Sequence, residues 1–111
     1  MLYDRLLLDL QRAEAAQRDE DWLTASPYLL HAQEIVAELT SSLRPELWDG
    51  GPGLVALYGY VTRALITANI HRDIERTREC VRLLEPLRTA WHEAALKVAL
   101  ADAALHRDAV G

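Results

Sequence analysis

Four histidines and a single cysteine are the residues of this chain with the widest chemical range. Paired metals in helical bundles are held through Glu-x-x-His on two helices. The residues three before His31, His71, His92 and His106 are Tyr28, Ala68, Thr89 and Ala103, and none is a carboxylate. The di-metal reading therefore fails on its ligands. His71 and Glu75 stand four apart, as do Asp102 and His106, which is the spacing of an ordinary surface pair on a helix. His31 sits in mid-helix, as a phosphorelay histidine would, but no Lys-Gly context surrounds it. Cys80 falls on an apolar stripe, where a free thiol behaves as a small hydrophobe, and a nucleophile would need exposure and a nearby base. Gly50, Gly51, Pro52 and Gly53 form a flexible link without the spacing and following Lys of a phosphate loop. Arg72, Arg76, Arg78, Arg82 and Arg88 form a run along one helix. Arg78 and Arg82 can pair with Glu75, Glu79 and Glu85 on a solvated face, or the run can form a docking patch for an acidic partner. These residues predict no enzyme, no metal and no cofactor.

The elements that must position these side chains are helices. Of 111 residues half are hydrophobic, enough for one modest core in one domain. Ala and Leu dominate, Phe is missing, and no strand-type alternation runs over a useful length. Twelve basic against 17 acidic residues give a net charge of −5, which argues against nucleic acid as a partner. One cysteine cannot form an internal disulfide or a Cys-based zinc site. Asp4, Arg5 and Asp9 interrupt the first apolar run, so no signal peptide is expected. The longest uncharged stretch, from Gly50 to Thr62, is broken by glycines and a proline, so no membrane partner is expected and the cytoplasm is the predicted setting.

Periodicity predicts an all-α fold, a single-domain antiparallel four-helix bundle over 1–111, with helices near 1–18, 21–43, 53–71 and 73–105. Leu2, Leu6, Leu10 and Ala13 share one stripe of the first helix, with Tyr3 and Leu7 beside it. Asp19, Glu20 and Asp21 end it and suit the start of the next. Ala25, Leu29, Ala32, Val36, Leu39 and Leu43 step by four and three, the seam of an antiparallel bundle. Its helix starts either at Asp21, with Pro27 kinking its second turn, or at Ser26 with Pro27 first; packing of Trp22 and Ala25 favours Asp21. Leu54, Tyr58, Val61, Leu65 and Ala68 face together on the third helix. The fourth, capped by Asp73, carries Cys80, Leu84, Leu87, Trp91, Ala94 and Val98, should bend at Pro86 and should fray from Leu105. Trp91 and Leu87 are expected in the core, Trp22 and Trp48 partly exposed.

Four blocks carry a family resemblance. Met1-Leu2-Tyr3-Asp4 resembles the M-L-Y-D-G that opens the first bundle helix in flagellar secretion chaperones of the FliS type. Ala32-Gln33-Glu34-Ile35-Val36-Ala37-Glu38-Leu39 is similar to K-A-Q-E-I-I-x-E-L, and Ser41-Ser42-Leu43 follows it. Leu57-Tyr58-Gly59-Tyr60 resembles L-Y-D-Y, and Ala68-Asn69 with Asp73 resembles A-N-x-x-x-D. Leu83-Leu84 and Leu87-Arg88-Thr89-Ala90-Trp91 look like L-L-x-x-L-R-x-A-W. The blocks span about residues 1 to 95, in order and in register with the four helices.

The resemblance implies a cytosolic export chaperone. Its partner would be the C-terminal segment of flagellin, disordered until assembly and wrapped around the bundle in helical pieces. Binding would prevent premature polymerisation and assist delivery to the flagellar export apparatus, whose components are further partners. Helices laid into surface grooves are an established recognition mode, and a segment that folds on binding needs a large surface. The chain departs from the family in opening on the first block without an N-terminal arm, in Arg5 for Gly, in Gly59 for an acidic residue and in Thr62 for a bulkier one. Candidate partner-binding residues are Tyr3 and Leu7 on the first helix and Leu57, Tyr58, Tyr60, Val61, Ala64, Leu65, Ala68 and Asn69 on the third. Tyr58 also fits the core, with its hydroxyl reaching a partner. The alternative function is a self-associating or regulatory bundle that binds another amphipathic helix, with a homodimer filling the groove.

Overall fold

The computed structural model describes residues 2–47 and 49–110. It holds four helices: α1 (Leu2–Arg18), α2 (Trp22–Ser42), α3 (Gly51–Ile70) and α4 (Ile74–Val110), with a short 3-10 turn at Pro45–Leu47. They form an antiparallel bundle in which α1 and α3 each pack on α2 and α4 and stand diagonally across from one another. The expected partial exposure of Trp48 falls outside the described residues.

The seams sit where the three–four spacing puts them. Leu6 and Leu10 of α1, Leu29, Ala32 and Val36 of α2, Val61, Leu65 and Ala68 of α3, and Cys80 and Leu84 of α4 are all buried. Burial of each large side chain contributes on the order of 2 kcal/mol. Cys80 is wholly enclosed, and burial pushes its thiol up to about 12, far from a reactive thiolate.

Asp21 is the cap of α2: its Oδ1 accepts from the Thr24 N–H at 3.2 Å. The helix then continues through Pro27. Ala25 is buried and anchors the first turn, while Pro27 is exposed. The carbonyl deprived of a donor by Pro27 therefore faces a solvated side of the helix.

The links at 19–21 and 71–73 share one design. Glu20 and Arg72 are the non-glycine residues with positive φ among the described residues, at 57° and 55°. The following Asp21 N–H bonds back to the Ala16 carbonyl at 2.8 Å and the Asp73 N–H to the Ala68 carbonyl at 3.0 Å. This is the six-to-one closure of a helix C-terminus over a left-handed residue. In each link the next Asp caps the next helix, Asp73 Oδ1 accepting from the Glu75 N–H at 3.1 Å. One residue thus ends a helix and its neighbour starts another, which forces the antiparallel hairpin.

The link at 43–50 is built differently. Gly50 precedes α3 without a side-chain cap, and Pro52 stands in its first turn, where a missing N–H costs nothing. Gly51 is buried because the backbone of Pro45 lies against its Cα; any Cβ there would overlap Pro45. The 3-10 turn is thereby folded back onto the start of α3.

Candidate partner-binding groove

The fourth helix outruns its neighbours. α1, α2 and α3 are 17, 21 and 20 residues long, and α4 is 37. Its stripe begins as predicted, with Cys80 and Leu84 fully buried and Leu87 half-buried. Trp91, expected in the core, is instead 47 % exposed, and Val98 is 62 % exposed. The periodicity of the stripe is unbroken; the bundle simply ends. Residues 89 to 107 are exposed, apart from partly covered Ala104, and the helix that holds Leu105 runs on to Val110.

Where the bundle ends, a groove opens. Leu43 and Gly50 form one wall, Gly53, Leu54 and Leu57 of α3 the floor, and Leu87, Ala90, Trp91 and Ala94 of α4 the other wall. Its volume is about 660 Å³. The glycines keep the α3 side low, because neither Gly50 nor Gly53 places a side chain in it. A second groove of about 700 Å³ runs between α1 and α2, lined by Leu2, Leu8 and Ile35 but also by Asp4, Arg5, His31 and Glu38. The first is the apolar one and the better seat for a hydrophobic segment.

Two fixtures hold α4 at the groove. Tyr3 stacks at a tilt on Trp91, with ring centroids 6.4 Å apart. Asp4 Oδ1 accepts from Arg88 Nε at 2.5 Å and from His92 Nε2 at 2.9 Å. The His92 hydrogen bond, then that of Arg88, holds the Asp4 carboxyl below the usual carboxylate range. Beneath the groove the Tyr3 and Tyr58 hydroxyls hydrogen-bond each other across the bundle diagonal. Burial first, and that bond second, raise the Tyr58 phenol above its ordinary value. The Tyr58 hydroxyl is thus spent inside the molecule.

Of the ten candidate residues, Tyr3, Leu7, Tyr58, Val61, Ala64, Leu65 and Ala68 are buried between the helices. Leu57 is half-buried in the groove, Asn69 is half-buried near the end of α3, and Tyr60 is exposed. The Tyr60 hydroxyl donates to Glu79 Oε1 at 2.6 Å, and Arg76 holds the same carboxylate at 3.0 Å. Those two bonds, Tyr60 first, lower the Glu79 carboxyl, and the bond to Glu79 raises the Tyr60 phenol. The arginine run is largely committed to carboxylates: Arg78 reaches Glu75 at 2.6 Å and Glu14 at 3.1 Å.

Three buried polar contacts were not anticipated. Gln17 donates to the Ala68 carbonyl at 3.2 Å and accepts from the Thr77 hydroxyl at 2.7 Å, joining α1, α3 and α4. Asp9 is buried and bonded to Nδ1 of His31, which explains the mid-helix histidine as a clasp between α1 and α2. The signal for all of them was spacing: Asp9 and Gln17 stand seven residues from Leu2 and Leu10, and Thr77 seven from Leu84. A polar residue on an apolar stripe must find a partner in the core. Among the described residues no His, Cys, Asp or Glu cluster of three could hold a metal, and no helix is long and apolar enough to cross a membrane.

The family profile described as "Flagellar protein FliS" matches residues 1–98. The "Flagellar secretion chaperone FliS" of Escherichia coli (strain K12) is 32 % identical over 102 residues, which cover 90 % of this chain and 75 % of that protein. The protein of the same name from Bacillus subtilis (strain 168) is 30 % identical over 94 residues, covering 85 % and 70 %.

Proposed function

This chain belongs to the FliS family of flagellar secretion chaperones, and from that premise we propose that it binds the disordered C-terminal segment of flagellin in the cytosol. The bound segment is kept from polymerising and is carried to the export apparatus, whose components are secondary partners. The protein acts by binding and by no chemistry of its own.

The observation that supports this reading is the apolar groove of Leu43, Leu54, Leu57, Leu87 and Trp91 at the end where α4 leaves the bundle. Half of a Trp and a run of exposed Leu and Val in one region exceed what an isolated helix end needs, and such surfaces mark partner sites. Further exposed apolar residues, Leu23 and Leu30 on α2 and Ile66 and Ile70 on α3, offer a path along which a folding segment can wrap. Of the ten candidate residues, Leu57, Tyr60 and Asn69 touch the segment. The buried seven act from below by setting helix spacing and the groove floor.

Calorimetric titration with a peptide covering the flagellin C-terminal segment tests the reading. Binding with a large negative heat-capacity change is expected, because apolar surface is buried on both sides. Leu57→Glu should weaken it at least about tenfold by placing a charge in the groove. No heat and no thermal stabilisation by the peptide would contradict the proposal.

A further inference from the structure

We propose that Asp4 is a positioning residue for the partner groove: it fastens the α4 wall, which Pro86 leaves hinged, where an incoming segment needs it. Pro86 stands in the interior of α4 and is exposed. It has no N–H for the Arg82 carbonyl, and its ring crowds the preceding turn, so the helix resists bending least here. The wall begins at the next residue, with Leu87, Ala90, Trp91 and Ala94. Leu87 and Arg88 are half-buried and 89–94 are exposed. Core packing therefore does not set the direction of the wall beyond its first turn.

The first turn of α1 supplies what the core does not. Among the described residues, the side-chain hydrogen bonds that α4 makes to another helix beyond Pro86 both end on Asp4 Oδ1, from Arg88 Nε and His92 Nε2. The two donors stand four apart on one face of α4, and between them Trp91 meets the Tyr3 ring. Asp4 can serve as an anchor because its own place is fixed. It lies in the first turn of α1, where the helix dipole favours a carboxylate. Its neighbour Tyr3 is buried and bonded to Tyr58 of α3, the helix that forms the groove floor. Floor and wall are thus registered to each other through α1, although Asp4 itself lines the other groove. A partner that needs both surfaces at one spacing binds in proportion to the fraction of chains that hold it, so a fixed wall raises affinity without a new contact. The gain in affinity rests on the flagellin reading, whereas the fastened hinge is a property of the chain alone.

Distances between spin labels at Val55→Cys on α3 and Leu96→Cys on α4, taken on the full chain in dilute solution, are the first test. Both positions are exposed and Cys80 is buried. One narrow distance is expected, broadened by Asp4→Ala and narrow again when Pro86→Ala is added, because an unbroken hydrogen-bond ladder needs no fastening. Calorimetric titration with the flagellin C-terminal peptide is the second. Asp4→Ala should weaken binding about threefold to tenfold, and Asp4→Glu should keep most of it. In a Pro86→Ala chain the same Asp4→Ala should cost less than about twofold. The Asp4 side chain is partly exposed and Pro86 is exposed, so these variants should keep the circular dichroism of the parent. A distance indifferent to Asp4→Ala or still broad after Pro86→Ala, or an equal loss of affinity with and without Pro86, would overturn the proposal. A parent chain that binds no peptide would contradict the flagellin reading, and the distances alone would then decide the hinge.

Discussion

The two ends of this bundle obey different rules. At the end of the 19–21 and 71–73 links every requirement is met within the chain: left-handed residues close α1 and α3, aspartates open α2 and α4, and Gln17 satisfies Thr77 and the Ala68 carbonyl in the core. At the other end a single link folds back onto α3, a groove stays open, and α4 continues with its apolar stripe largely uncovered. The same helix supplies both conditions, since Leu84 is fully buried and Leu105, on the same stripe, is 68 % exposed. Apolar spacing decides which residues face one way; the lengths of the neighbouring helices decide whether anything is there to meet them. The buried polar contacts are concentrated at the closed end, and the groove lies at the open one.

The largest effect should separate those two leucines. Leu84→Ala should cost about 2–5 kcal/mol in denaturant unfolding, while Leu105→Ala should stay within about 0.5 kcal/mol at concentrations where the chain is monomeric. Equal costs would break the contrast. Gln17→Ala follows, at about 1–3 kcal/mol, because it leaves the buried Thr77 hydroxyl without its acceptor, while the Ala68 carbonyl keeps the Asp73 N–H. Tyr58→Phe strands the Tyr3 hydroxyl and should cost about 1–3 kcal/mol, and the double change with Tyr3→Phe should recover much of it. A purely additive pair would show that the diagonal bond is not what the two hydroxyls contribute. Replacing Arg72 by glycine should stabilise by about 0.5–1 kcal/mol, since glycine takes the left-handed conformation without strain.

The smallest effect belongs to the Asp4 fixture. The His92 and Arg88 hydrogen bonds hold its carboxyl below the usual carboxylate range, so the stabilisation it gives is present above the unfolded value and is lost as pH falls through the folded one. Proton NMR titration should find Asp4 ionising at lower pH than a free carboxyl, and His92→Ala should move it back up. An unmoved Asp4 would detach α4 from the α1 end.

Much of the fold was legible because three–four spacing reports which way a helix faces. Asp21, Asp73 and the Cys80–Leu84 seam follow directly from such signals. Trp91 shows where the signal stops: spacing cannot count the residues of other helices, so the point at which α4 runs out of neighbours was invisible. The same blindness put Tyr58, Val61 and Leu65 among partner-facing candidates, since core and groove draw on one apolar alphabet. The His31–Asp9 clasp was half-hidden: spacing puts Asp9 on the apolar stripe, but its partner stands 22 residues away on another helix, which no local pattern names. The groove was legible only in part, through Leu57; Leu87 and Trp91 were expected in the core, and Leu43, Gly50 and Gly53 join it through the folded-back link that Gly51 permits.

Hydrogen exchange of the chain, at a concentration where it is monomeric, with and without a saturating flagellin C-terminal peptide, tests the division of labour most directly. New protection is expected at 53–57 and 87–105, the open end, with the amides around Gln17, Ala68 and Thr77 already slow and unchanged. Protection confined to the closed end, or none along α3 and α4, would contradict it.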